Sequence, residues 1–198
     1  MEAYLDNSAT TRVDAQVQEL MKKLMDVDFG NPSSRHQKGV VAEGYIKEAR
    51  QKIAATLKVD PKEFIITSGG TESNNMALTG TALAAKRKGN HIITTAVEHP
   101  SVKATASFLE EQGFRITFLS VDSRGQISLE ELKEALTPDT ILVSIMYVNN
   151  EIGTIQPIEE AAKLVHATVP GAVFHVDAIQ AYGKVMIRPK QQGIDLLS

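Results

Sequence analysis

Cysteine is absent from this sequence of 198 residues, and tryptophan is absent as well. Without cysteine, these residues can form neither disulfide bonds nor thiolate metal sites. Five histidines are present, but they show no HExxH motif and no other spacing that is typical of metal ligands. We therefore expect no metal site in this sequence.

The sequence also lacks an excess of either charge and lacks any long apolar run. Lysine and arginine total 21 and aspartate and glutamate total 24, which gives a formal net charge of −3 with the two signs interspersed. We therefore expect no nucleic-acid partner and no membrane binding. The first residues, MEAYLDNSATT, lack the basic and apolar regions of a signal peptide. These features predict a cytoplasmic protein with a small, soluble ligand.

From residue 64 onward, the patterns of strands and helices alternate along the chain. Strands are predicted at 64–67, 91–97, 114–120, 140–148 and 172–177, and helices at 72–88, 100–112, 128–136 and 158–168. This alternation predicts a mostly parallel sheet with helices on both faces, because parallel strands need crossover connections. The stretch TILVSIMYV is apolar almost throughout, as a doubly covered strand should be. The predicted fold class is α/β.

Two helices, near 14–26 and near 35–57, are predicted ahead of this alternating region. The second helix places Ala42, Ala49, Ile53 and Leu57 on one stripe. A short extended piece around Tyr4 and Leu5 precedes both helices. We interpret this amino-terminal part as a layer that covers the sheet.

The stretch FIITSGGTESNN, residues 64–75, joins a predicted strand to a predicted helix through two glycines and a threonine. Gly69 and Gly70 allow a close backbone approach, and the amides at a helix start favour an anion. The Thr71 hydroxyl adds another donor, so the turn is a candidate phosphate site. The alternative is a tight turn in which Thr71 is only the helix N-cap.

Polar residues are also predicted at the carboxyl ends of three strands, which is where ligands bind in open α/β sheets. His99 and Asn150 each have a purely structural alternative, as a helix-entry histidine and as the first residue of a local turn. Asp177 interrupts an apolar strand and is costly to bury without a partner. Gln180 follows it and could equally be an ordinary surface residue.

A ligand with a phosphate, a flat ring and a basic ring nitrogen would satisfy this whole set, and pyridoxal phosphate has all three features. Gly70 and Thr71 would hold the phosphate, and His99 would stack on the ring. Asp177 would pair with the protonated ring nitrogen, while Asn150 and Gln180 would bond the phenolic oxygen. The sequence therefore predicts a pyridoxal phosphate site formed by Gly70, Thr71, His99, Asn150, Asp177 and Gln180.

Six stretches carry a resemblance to a known family, in order along the whole chain: YLDNSATT, GNPSSRH, TSGGTESNN, VEHPSV, YVNNEIGTIQPI and HVDAIQAYGK. They resemble cysteine desulfurases of the NifS and IscS type, which are class V aminotransferase-family enzymes of fold type I. The resemblance implies the same cofactor contacts, at Thr71, His99, Asn150, Asp177 and Gln180. It also implies L-cysteine as substrate, L-alanine and an enzyme persulfide as products, a homodimer, and a scaffold protein that accepts sulfur for iron–sulfur cluster assembly. His99 would also move protons as a catalytic residue.

The sequence departs from that family in length. Family members are roughly twice as long, and a Ser-x-His-Lys segment with the Schiff-base lysine normally follows shortly after a stretch like the final DLLS. We therefore expect residues 15–198 to form an incomplete cofactor-binding major domain and residues 1–14 to belong with the small domain. This part alone is expected to be inactive and to hold the cofactor without covalent attachment. Lys184 and Lys190 lie outside the expected motif.

Three alternatives follow from the same residues. Within the fold, the chain could belong to a selenocysteine lyase or to another class V lyase or aminotransferase. It could also be a non-catalytic binding module. A nucleotide-binding Rossmann protein fits less well, because the turn is SGGTES rather than GxGxxG.

Overall fold

The structure is a computed structural model that describes residues 3–198. The chain divides into two compact units, one that extends as far as Ile65 and one that comprises Ile66–Ser198. Within the described residues, no helix is both long enough and apolar enough to cross a membrane.

The first unit consists of helices. Helix α1 spans Ala15–Asp26, helix α2 spans Gln37–Leu57, and a short 3-10 helix spans Pro61–Glu63. The α1 helix begins where the Asp14 carboxylate accepts a hydrogen bond from the backbone N–H of Gln16, and none of its residues is buried. Both helices lie close to their predicted positions. On the predicted stripe of α2, Ala42 is buried but Ala49 is exposed.

The second unit is built on a five-stranded parallel sheet. The strands are β1 (His91–Thr95), β2 (Arg115–Leu119), β3 (Thr140–Met146), β4 (Val173–Asp177) and β5 (Leu196–Leu197), and their spatial order is β2-β1-β3-β4-β5. Every residue of the neighbouring strands β1 and β3 is buried, as expected for strands that are covered on both faces. The predicted α/β fold class is confirmed.

Five helices accompany this sheet: α3 (Gly70–Ala85), α4 (Pro100–Glu111), α5 (Leu129–Ala135), α6 (Ile158–Thr168) and α7 (Pro189–Gln192). Leu78 and Ala82 of α3 pack in one buried cluster with Val102 and Leu109 of α4 and with Ile92 of β1. Burial of these apolar side chains orients the amino-terminal turns of α3 and α4 relative to the sheet. That orientation brings the candidate residues together.

The predicted strand at 64–67 was wrong. These residues form no strand in the structure, and Ile65 and Ile66 are 64% and 51% exposed. A β-branched run becomes a strand only where another strand offers it hydrogen bonds. Within residues 3–198, no strand pairs with this run. The short elements α7 and β5 were not predicted, because four and two residues are too few for a periodic pattern.

Candidate functional site

The candidate site lies at the carboxyl edge of the parallel sheet. His99 is the N-cap of α4 in the short segment after β1, Asn150 lies in the loop after β3, and Asp177 is the last residue of β4. Because the strands are parallel, their carboxyl ends meet at one edge. Gly70 and Thr71 reach the same edge in the first turn of α3, and Gly70 lies beside Ile179 just after β4.

The turn before α3 leaves the helix start open. Gly69 is the N-cap and makes no side-chain capping bond, so the alternative in which Thr71 is the N-cap is wrong. Thr71 lies exposed in the first turn. A Cβ atom at position 70 would come within 2.6 Å of Ile179 Cδ1, so glycine allows the turn to approach the end of β4. The result is a helix amino terminus with amides available to an anion.

Glu72 contributes negative charge to the same turn. Its carboxylate accepts a hydrogen bond from the backbone N–H of Ser68, and this bond holds the pKa of Glu72 below its ordinary value. The carboxylate therefore takes up the N–H just before the helix. An anion would use the amides of Gly70 and Thr71 instead.

Asp177 is a buried carboxylate, with only 5% of its surface exposed. Its Oδ1 accepts a hydrogen bond from the backbone N–H of Ile179 at 3.1 Å, and its Oδ2 accepts one from Asn74 Nδ2 at 2.8 Å. Within residues 3–198, the structure shows no ion pair for this carboxylate. A buried negative charge with two hydrogen bonds and no cation favours a positively charged ligand.

His99 is both a helix cap and an exposed ring. Its Nδ1 accepts a hydrogen bond from the backbone N–H of Ser101 at 3.2 Å and lies 2.8 Å from Ser101 Oγ. The structural alternative, a histidine held by local backbone at a helix entry, therefore describes one edge of the ring. The residue as a whole remains exposed and available to a ligand.

Asn150 lies in a loop that its neighbour Asn149 organises. Asn149 is buried, its Oδ1 accepts hydrogen bonds from the backbone N–H groups of Glu151 and Ile152, and its Nδ2 donates to the carbonyl oxygen of Val97. The local turn that was considered for Asn150 is thus made by Asn149. Asn150 is half-buried, and its Nδ2 donates to the Glu151 carboxylate at 2.7 Å.

Gln180 lies three residues after the end of β4 and is half-buried. Its Oε1 accepts a hydrogen bond from Lys184 Nζ at 3.0 Å. The structure thus places Gln180 on the segment that follows Asp177, with an amide oxygen turned toward a lysine.

Besides Asn149, the sequence reasoning missed the buried polar residues Asn74, Glu98 and Ser101 at this edge. Asn74 had a signal, because Asn74, Leu78 and Ala82 are spaced four apart on the buried face of α3. An asparagine in that series replaces an expected apolar residue. Glu98 and Ser101 flank the His99-Pro100 pair and had no such signal.

Glu98 joins the ends of β1 and β3. It is 3% exposed, and its Oε1 accepts hydrogen bonds from the backbone N–H of Met146 and from Thr95 Oγ1, each at 2.8 Å. Its Oε2 has no hydrogen-bond partner in the described part of the chain. Burial raises the pKa of Glu98 to about 8, although its hydrogen bonds act in the opposite direction, and the charge of Asp177 adds to the rise.

These features fit pyridoxal phosphate. The open start of α3 with Thr71 suits the phosphate, Asp177 suits a protonated ring nitrogen, and His99 presents an exposed ring beside them. The described residues contain no cluster of three or more histidine, cysteine, aspartate or glutamate side chains that could hold a metal ion.

Comparisons with known proteins show the family to which the chain belongs. The family profile described as Aminotransferase class-V matches residues 3–198. The chain is 49% identical over 197 residues to a cysteine desulfurase IscS of Dictyoglomus turgidum, covering 100% of this chain and 50% of that relative. It is also 49% identical over 195 residues to a cysteine desulfurase IscS of Methanosarcina thermophila, covering 98% of this chain and 48% of that relative.

Solved structures show the same fold. A NifS-like protein superimposes with a TM-score of 0.96 at 41% identity and covers 100% of this chain and 55% of its own. The structure described as SspA in complex with cysteine superimposes with a TM-score of 0.93 at 40% identity, covering 98% of this chain and 56% of its own. The chain thus spans about half the length of these relatives. It belongs to the class V aminotransferase family and corresponds to the amino-terminal half of NifS- and IscS-like cysteine desulfurases.

Proposed function

We propose that this chain supplies the cofactor-binding amino-terminal half of a pyridoxal phosphate-dependent cysteine desulfurase, which converts L-cysteine into L-alanine and an enzyme-bound persulfide. The relatives of this name share about half of their aligned residues with it. The single observation that supports the proposal most strongly is Asp177, a carboxylate that is 5% exposed and has no cation within residues 3–198.

The phosphate is assigned to the start of α3. The helix has no side-chain cap, so its first amides and the Thr71 hydroxyl are the donors that an anion needs. Gly70 keeps this turn close to Ile179 and hence to the end of β4. The phosphate subsite and the Asp177 subsite therefore lie on adjoining segments.

Asp177 and His99 are assigned to the ring. When bound, pyridoxal phosphate supplies an electron-accepting ring that stabilises negative charge developing on the substrate. The Asp177 carboxylate keeps a ring nitrogen protonated, because an opposite charge nearby favours the charged form. The ring of His99 would stack on the flat ligand, and its Nε2, the nitrogen that Ser101 leaves unengaged, would hold or move a proton near the substrate. Asn150 and Gln180 would bond the phenolic oxygen with their side-chain amides.

Turnover is assigned to the complete enzyme rather than to these 198 residues. A persulfide needs a cysteine thiol, and this sequence contains no cysteine. From the family resemblance, we expect the Schiff-base lysine and the sulfur-accepting cysteine in the carboxyl-terminal half. Homodimer formation and transfer of sulfur to a scaffold protein belong to the same proposal.

Titration of the purified chain with pyridoxal phosphate tests this proposal. We expect saturable binding that inorganic phosphate weakens by competition at the start of α3. After borohydride reduction and peptide mass spectrometry, we expect no pyridoxyl group at high occupancy on Lys184 or Lys190. Absence of saturable binding would contradict the proposal, and a stoichiometric adduct on either lysine would contradict the assignment of the lysine to the other half.

Substrate assignment needs the complete enzyme. Assayed with L-cysteine, L-selenocysteine and pairs of amino and keto acids, the completed enzyme should release L-alanine fastest from L-cysteine. Faster turnover of selenocysteine, or of an amino acid and keto acid pair, would instead identify the other class V activities considered above.

A further inference from the structure

A series of buried and partly buried hydrogen bonds connects Asp177 to His99. Asn74 Nδ2 donates to Asp177 Oδ2 at 2.8 Å and to Ser101 Oγ at 2.9 Å, and Ser101 Oγ lies 2.8 Å from His99 Nδ1. Asn74 is 1% exposed and Ser101 is 8% exposed. Four side chains from α3, from the start of α4 and from the end of β4 thus form one connected series.

The direction of each hydrogen bond in this series follows from the carboxylate. An ionised carboxylate only accepts, so Asn74 must turn its NH2 group toward Asp177. That group has two hydrogens, and the second one is donated to Ser101 Oγ. The orientation leaves Asn74 Oδ1 buried without a partner, which is costly. The carboxylate therefore determines the orientation of the amide.

Ser101 in turn fixes the direction of the hydrogen bond to the His99 imidazole. Its oxygen accepts from Asn74, so its own hydrogen is free to be donated to His99 Nδ1. The backbone N–H of Ser101 donates to the same nitrogen at 3.2 Å. Because two donors point at Nδ1, this nitrogen carries no proton in the neutral ring, and the ring proton is on Nε2.

We propose that Asn74 and Ser101 are positioning residues that tie the orientation of Asp177 to the orientation and tautomer of His99. The inference rests on the proposed function, in which these two side chains hold the ring nitrogen and the flat face of one ligand. It adds that the Asp177 contact and the His99 contact with the ligand are coupled, because one series of hydrogen bonds orients both side chains. The Nε2–H tautomer then presents a donor on the exposed edge of His99.

The test uses the 198-residue chain without cofactor, labelled with ¹⁵N, and measures the tautomer of His99 by long-range ¹H–¹⁵N NMR. The His99 signals are identified by their loss in His99→Gln. In the wild type we expect the Nε2–H tautomer to dominate. In Ser101→Ala, the ratio of the Nδ1–H form to the Nε2–H form should rise about three- to tenfold, the range that loss of one hydrogen bond produces.

Three further variants distinguish an effect of the hydrogen bonds on the His99 tautomer from an effect of altered packing. Ser101→Thr keeps the hydroxyl and should restore the wild-type ratio. Asn74→Asp replaces the donor with an acceptor, so the Ser101 hydroxyl should turn toward it and the ratio should rise as in Ser101→Ala. Thr105→Val is the matched control, because it removes a buried hydroxyl of the same helix that bonds Asn75 Oδ1 and the Ser101 carbonyl oxygen. It should leave the ratio unchanged.

An Nδ1–H tautomer in the wild type would overturn the inference, as would equal ratios in Ser101→Ala and Thr105→Val when both retain the amide spectrum of a folded chain. Titration with pyridoxal phosphate provides a second, separate result. Ser101→Ala should weaken binding about three- to tenfold relative to Thr105→Val. If neither the wild type nor any variant binds the cofactor, the proposed function is wrong. The tautomer ratios still test the inference in that case, because they are measured without cofactor.

Discussion

At the residue scale, the polar groups buried near the sheet edge divide into those that a ligand can satisfy and those that the protein satisfies itself. Asp177 has protein donors on both oxygens but no cation among residues 3–198. Glu98 instead sits 3% exposed with a pKa raised to about 8, so it is protonated at neutral pH and adds no second charge beside Asp177. This difference allows two acids to occupy the same edge of the sheet, one after β1 and one at the end of β4.

Glu98 should make stability fall as pH rises through neutrality. The folded protein keeps its proton up to about pH 8, whereas an unfolded chain releases it near the ordinary value of 4.5. Folding therefore takes up a proton between these values, and the free energy of unfolding decreases with pH there. Between pH 6.5 and 8, Glu98→Gln should flatten this decrease in urea titrations. If the free energy of unfolding of folded Glu98→Gln fell with pH as steeply as that of the wild type, Glu98 would not be the group responsible.

Two buried histidines should have the opposite effect on stability, which they should lower as pH falls. Burial lowers the pKa of His91 to about 4 and that of His175 to about 3, and each ring is hydrogen-bonded to hydroxyl groups. Their stabilising contribution is complete above pH 6.5, the ordinary value, and is lost as pH falls toward those lowered values. The difference in free energy of unfolding between wild type and His175→Gln should therefore be largest near pH 7 and should narrow below pH 6.5. A difference that stays constant with pH would contradict this.

The sequence indicated the candidate site residues Asp177 and His99 but not the buried side chains that hydrogen-bond to them. His99 stood out because it follows a strand, and Asp177 because it is a carboxylate at the end of an apolar strand. Asn74 contacts Ser101 27 positions away and Asp177 103 positions away. Such contacts depend on how helices pack on the sheet, and a local pattern contains no information about that packing. Only the four-residue spacing of Asn74, Leu78 and Ala82 marked one of them.

At the element scale, helix α3 connects the core to the site. Its start is open to an anion, and Leu78 on the same helix is completely buried against β1, β3 and α4. Helices and strands between 91 and 177 matched their predicted positions closely, because each has its own periodicity and its own apolar residues. The run 64–67 failed as a strand because pairing depends on a neighbour rather than on the run itself.

Leu78→Ala should destabilise the fold by about 2–5 kcal/mol, since it removes a fully buried side chain and leaves a cavity. Leu83→Ala, on the same helix but 58% exposed, is the matched control and should cost within about 0.5 kcal/mol. Urea denaturation followed by circular dichroism measures both changes. Equal losses in the two variants would show that α3 is not anchored through Leu78.

At the scale of the whole molecule, the chain leaves apolar side chains exposed in both units. Val17, Leu20 and Met21 of α1 are 44–49% exposed, and Met186 in the second unit is 72% exposed. Exposed apolar surface of this kind favours association. The chain also spans about half the length of its relatives.

We therefore expect the 198-residue chain to associate in solution. Light scattering at roughly tens of micromolar, where exposed apolar surface drives association, should give a mass above the 21.5 kDa of one chain. Charged substitutions at Leu20 and Met21 should lower that mass if α1 contributes. A stable monomer at these concentrations would contradict the expectation.

In the proposed function, Asp177 supplies the negative charge opposite a protonated ring nitrogen of pyridoxal phosphate. The most direct measurement is ¹⁵N NMR of ring-labelled pyridoxal phosphate bound to the wild-type chain and to Asp177→Asn, followed as pH is raised. We predict that the ring nitrogen keeps its proton to a pH about one to three units higher in the wild type than in Asp177→Asn. Identical titrations of the bound ring in the two folded proteins would contradict it.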